Sequence, residues 1–108
     1  MANRKQILGE IETERERQAL LWGDQSHLPE VNDFALIGID TEEKVKREYR
    51  LASQSGEVSF ALILREEFVE ALRAETPETR REELVQVAAF CLQWIERIDD
   101  DSCKKKSK

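Results

Sequence analysis

Glu67, Glu70, Glu83 and Gln86 form two pairs, each spaced three residues apart, on two segments separated by Thr76-Pro77. At about 100° per residue, Glu67 falls on the side of its helix that carries Phe60, Ile63, Leu64 and Ala71, whereas Glu66 falls with Ser59 and Arg73. Glu70 sits at the edge of the Glu67 face, close enough for both carboxylates to touch one ligand. On the second segment Glu83 lines up with Val87, Phe90 and Trp94, and Gln86 lies at the adjoining edge. Carboxylates turned toward an apolar interior are costly unless they are paired or hold a cation. A hard divalent ion such as Mg²⁺ takes oxygen ligands in octahedral geometry and commonly combines a few carboxylates with phosphates and water. The plainer reading pairs the same acids with Arg15, Arg17, Arg65 or Arg80 at a helix interface, because E-E-x-x-E is common on ordinary surface helices.

The elements that must position these groups read as helices. Residues 3 to 22 carry an interrupted stripe of Ile7, Leu8, Ile11, Leu21 and Trp22, with Glu14 and Gln18 on the Ile7-Ile11-Trp22 side. Those two polar groups either pair between helices or line a pocket. Gly23 suits the position just past a helix C-terminus, and an irregular stretch of roughly fifteen residues leads through Pro29 to Ile39. Val31, Phe34, Leu36 and Ile37 are expected to tack it to the core, and His27 reads as a surface residue.

Asp40, with Glu43 three residues later, reads as the N-cap of a helix from Thr41 to about Gln54, closed by Ser55-Gly56. Its Lys44, Lys46, Arg47 and Arg50 form the most basic segment outside the tail. One or two of these four, with Lys44 and Arg47 preferred, are candidates to meet phosphate oxygens, against salt bridges within the helix to Glu42, Glu43 and Glu48. A third helix is expected from about Glu57 to Ala74, and Thr76-Pro77-Glu78 then supplies an N-cap, a proline at the first helical position and an acid in the first turn. From Leu84 to Ile95 only Gln86 and Gln93 break an apolar run, so this helix should be buried on most sides, which points to a homodimer. Residues 1–99 are expected to form the domain, and 100–108 a disordered charged tail.

At 108 residues the chain suits one domain, and its 37% charged and 40% hydrophobic residues with four Gly and two Pro favour an all-α fold. A net charge of -6 gives no field to attract nucleic acid or an anionic membrane. Cys91 lies in an apolar run and Cys103 in a polar stretch, so a mutual disulfide is not expected and a cytoplasmic location is. No signal-peptide pattern or run of about 20 apolar residues appears, so no membrane partner is expected.

L-R-E-E-F-V-E-A-L, the T-P-E connection and R-E-E-L-V-Q-V-A-A resemble the paired-helix metal motif, E-x-x-E followed by E-x-x-D, of MazG-like all-α nucleoside triphosphate pyrophosphohydrolases. E-R-E-R-Q-A-L-L-W-G-D-Q is similar to the opening of small members from phages and actinobacteria, and the resemblance spans about residues 10 to 98. It implies a four-helix bundle completed by dimerisation, with Mg²⁺ (or Mn²⁺) joining nucleotide phosphates to the acids and a nucleoside triphosphate cleaved to monophosphate and pyrophosphate. Residue by residue, Glu67, Glu70 and Glu83 match the family's acids as metal ligands, with Gln86 a weaker fourth and Glu66 or Glu82 as base or supporting partner. Base recognition would fall to Gln18, by hydrogen bonding, and to Trp22, by stacking. Gln86 stands where the family has aspartate. It brings no charge, so either metal affinity or metal number changes, or the chain keeps the fold as a silent module that binds a nucleotide or a protein. A purely structural dimer would bind no divalent metal.

Overall fold

Cap chemistry decides where each helix begins and ends. The computed structural model describes residues 4–31, 34 and 40–106, with side chains through residue 102. Helix α1 (Arg4–Trp22) stops at Gly23, whose φ of 66° is open to glycine and whose N–H donates to the Ala19 carbonyl at 2.9 Å. Helix α2 (Glu42–Ser55) begins one residue later than the sequence predicts. Its N-cap is Thr41, extended at φ -67° and ψ 152°, with Oγ1 accepting the Lys44 N–H at 3.2 Å. Asp40 instead takes the Lys44 ammonium at 3.4 Å. The helix closes on Gly56 at φ 74°.

Helix α3 (Phe60–Arg73) also starts later than expected, because the Ser59 hydroxyl accepts the Leu62 N–H at 3.1 Å and fixes the first turn there. Helix α4 (Pro77–Lys106) starts at the predicted restart, with Thr76 Oγ1 accepting the Thr79 N–H at 3.1 Å. It then continues through the segment expected to be disordered. No Gly or Pro interrupts the chain after Pro77, and Arg97 pairs with Asp101 one turn on at 3.0 Å. Every regular element among the described residues is a helix.

Two compact units emerge, Met1–Glu30 with Leu92–Lys108 and Val31–Cys91, where length alone suggests one core. In the second unit α2 packs on α3. Val45 and Val69 are buried at 1% and 3% exposure, and Ala71 is fully enclosed. Arg65 and Glu48 form an ion pair between these helices at 3.5 Å. Phe60 of α3 meets Phe90 of α4 with ring centroids 5.4 Å apart. Of the residues expected to tack the irregular stretch down, Phe34 lies under the Arg73 guanidinium at 4.3 Å and Val31 is half-buried, while Leu36 and Ile37 lie outside the described residues. In the first unit Ile7 is buried and Arg4 reaches Glu96 at 3.3 Å.

Buried apolar side chains among the described residues are confined to Ile7, Val45, Val69 and Ala71. The middle of α4 is less covered within the chain than its composition predicts: Leu84 is 50% and Val85 56% exposed. Among the described residues no helix is long and apolar enough to cross a membrane.

Candidate metal centre

The acids are brought together by the way α4 is tied to the end of α3. The α3 helix stops because the chain must turn into the Thr76-Pro77 restart, leaving terminal carbonyls without partners inside the helix. Arg80, in the first turn of α4, supplies them: Nε donates to the Ala71 carbonyl at 3.2 Å and Nη2 to the Ala74 carbonyl at 2.7 Å. Glu83 follows one helical turn later and so shares the Arg80 face, directed toward α3.

Carboxylate oxygens of Glu67, Glu70 and Glu83, one from each, all lie within 4.8 Å of one another. Each residue is partly buried. Two of the oxygens, Glu67 Oε2 and Glu83 Oε2, are sealed from solvent with no hydrogen-bond partner. At these separations, repulsion between two ionised carboxylates is on the order of 3 kcal/mol per pair near a protein surface, larger than an exposed salt bridge normally returns. The electrostatics follow. Glu70 is pushed from the ordinary 4.5 up to about 7, first by burial and then by the charges of Glu66, Glu83 and Glu67, with Lys46 opposing. Burial, then Glu83 and Glu66, push Glu67 in the same direction.

The plainer reading requires arginine partners, and those arginines make contacts with other groups, although Arg65 Nε itself lacks a hydrogen-bond partner. Arg15 donates to Gln18 at 2.8 Å, Arg17 pairs with Glu14 at 2.7 Å, Arg65 pairs with Glu48, and Arg80 serves the α3 carbonyls. Three converging carboxylates, two of them with a sealed and unpartnered oxygen, make an all-oxygen donor set that suits a hard divalent cation. Such a cation would replace repulsion by attraction.

The remaining predicted site residues are distributed more widely. Glu66 is half-buried, and its charge bears on both Glu67 and Glu70. Glu82 and Gln86 are exposed on α4. Lys44 and Arg47 are exposed on α2, Lys44 being held by Asp40. In the first unit Gln18 is half-buried in a groove of about 280 Å³ whose apolar wall includes Ile7, Ile11 and Ile95. Its amide is oriented on both sides, Oε1 by Arg15 and Nε2 by Glu14 at 3.3 Å. Trp22 is 54% exposed. Lys46 is one of the four basic residues offered for phosphate contact, though not one of the two preferred, and Glu42, Val45, Lys46 and Tyr49 follow the spacing of one helix face. No protein family, characterised protein or solved structure matches the chain.

Proposed function

We propose that the protein is a divalent-cation-dependent nucleotide pyrophosphohydrolase of the MazG-like kind, cleaving a nucleoside triphosphate to monophosphate and pyrophosphate as a cytoplasmic homodimer. The observation that carries this reading is the convergence of Glu67, Glu70 and Glu83, with one sealed oxygen of Glu67 and one of Glu83 lacking any hydrogen-bond partner. These three residues would hold Mg²⁺ or Mn²⁺. When bound, the cation supplies charge withdrawal from phosphoryl oxygens and acidifies water.

The chain's own groups supply the rest. Glu67, Glu70 and Glu83 would fix where the phosphates sit by holding the cation that attracts them, since the carboxylates alone would repel an anion. Glu66 is the better of the two predicted proton acceptors, because its charge already bears on the triad whereas Glu82 is exposed. Accepting a proton as water adds to phosphorus, it would help cleave the anhydride bond and release pyrophosphate. Taken by itself, the first unit offers a groove in which the Gln18 amide, held by Arg15 and Glu14, lies beside an apolar wall that suits a base, and Trp22 of the same unit is exposed.

A specific observation favours a second reading. Gln86 is neutral and exposed at the position where a fourth acid would complete the motif, so a silent nucleotide- or protein-binding module would have the same fold. Incubation with Mg²⁺ or Mn²⁺ and a panel of ribo- and deoxyribonucleoside triphosphates separates the two. Monophosphate and pyrophosphate, lost in Glu67→Ala, support the enzyme. A folded protein with no turnover, revived by Gln86→Asp, supports the silenced site. Unchanged base preference in Gln18→Ala and Trp22→Ala would remove the first-unit groove from base recognition.

A further inference from the structure

The acidic set has one close cationic neighbour whose position follows from the packing of α2 on α3. Val45 and Val69 are the buried apolar residues of that contact, so the residues beside them in sequence, Lys46 and Glu70, are brought to the same edge. Glu42, Val45, Lys46, Glu66, Val69 and Glu70 line a crevice at this edge too narrow to admit water, so an anion would meet its rim and not its interior. The ammonium of Lys46 rests 3.6 Å from Glu42 one turn earlier, with about half its side chain exposed. Such a pair contributes little to stability and exchanges partners cheaply.

We infer that Lys46 is the phosphate-positioning residue of the carboxylate centre, leaving Glu42 to meet a terminal phosphoryl oxygen when a polyphosphate is held there with a divalent cation. This rests on the metal-centre reading above and adds the chain's own contribution to anion recognition. A site made only of acids repels a triphosphate wherever the cation does not reach, and a lysine on its rim relieves that repulsion without competing as a metal ligand. Its four-carbon stem and exposed start let it swing between Glu42 and the anion. Lys44, held by Asp40 at the start of α2, does not line that crevice.

The test is calorimetric titration of Mn²⁺, and then of tripolyphosphate in saturating Mn²⁺, into the full chain and its Lys46→Ala, Lys46→Arg and Lys44→Ala variants. The expected result is a tripolyphosphate affinity about tenfold weaker in Lys46→Ala, largely restored in Lys46→Arg and unchanged in Lys44→Ala. Mn²⁺ affinity should hold or rise in Lys46→Ala, because a nearby positive charge has been removed. A structural role for Lys46 would instead lower both affinities together. Tripolyphosphate binding indifferent to Lys46 would overturn this inference alone, while a folded wild-type protein that binds no Mn²⁺ would overturn it together with the metal centre.

Discussion

At the residue scale, the acidic set stores a conflict between burial and charge that pH can expose. Glu70 holds its proton up to about pH 7 in the folded chain, against an ordinary 4.5. Between those values the folded state binds a proton that the unfolded state has lost, so stability falls as pH rises through this window and the loss is complete above it. Glu67 acts in the same direction. Thermal melts of the metal-free protein should therefore show a decline from about pH 5 to about pH 8 that is shallower in Glu70→Gln. Equal slopes in the two proteins would contradict the account. Added Mg²⁺ should raise the melting temperature more at the upper pH, where protons no longer compete for the oxygens. The helical wheel made Glu67, Glu70 and Glu83 legible, because each lies in register with apolar neighbours on its own helix. Which of the four basic residues of α2 comes nearest the acids, and the choice between Glu66 and Glu82, were not legible, since both depend on how the helices dock and no periodicity within one segment encodes that.

At the scale of elements, the centre depends on two connections that do not touch a cation. Arg80 joins the first turn of α4 to the end of α3 through the Ala71 and Ala74 carbonyls. Arg80→Ala should cost on the order of 1–2 kcal/mol in denaturant melts, because it removes the guanidinium donor from both carbonyls and leaves Ala71 only the long 3.5 Å bond from the Ala74 N–H. It should also weaken Mn²⁺ binding although no ligand is altered. Val69→Ala should cost about 2 kcal/mol by opening a cavity between α2 and α3. An unchanged Mn²⁺ affinity in Arg80→Ala would show that the acids converge without this tie. The Thr76-Pro77 restart was readable because cap, proline and acid agree. The start of α2 was off by one residue, since Asp40 and Thr41 can each cap and only the backbone decides between them. The helical continuation to Lys106 was hidden by composition: alternate acidic and basic blocks look solvated, yet contain nothing that breaks a helix.

At the scale of the whole molecule, coverage is the issue. A chain of 108 residues whose buried apolar side chains, among those described, are Ile7, Val45, Val69 and Ala71 leaves much of its apolar surface uncovered within the chain. In the second unit Leu84 and Val85 are half-exposed on α4, and in the first unit Leu20 of α1 is 90% exposed. Light scattering on the purified protein should give about twice the 12.6 kDa chain mass. The double variant Leu84→Glu/Val85→Glu should shift it toward the monomer. A wild-type monomer at working concentrations would remove the homodimer from the proposal and leave the carboxylate centre to be judged by itself. The all-helical class was legible from low Gly and Pro and from periodicity. The division into two units was not, because α4 belongs to both and its sequence carries no break where one gives way to the other.

A divalent cation held by Glu67, Glu70 and Glu83 would be seen in a crystal structure grown with Mn²⁺, with anomalous scattering used to find the metal. The account predicts a peak among the three carboxylates, coordinated by an oxygen of each, and its loss in Glu83→Gln. Full occupancy of Mn²⁺ in the solution with no peak there, in a chain folded as described, would contradict it.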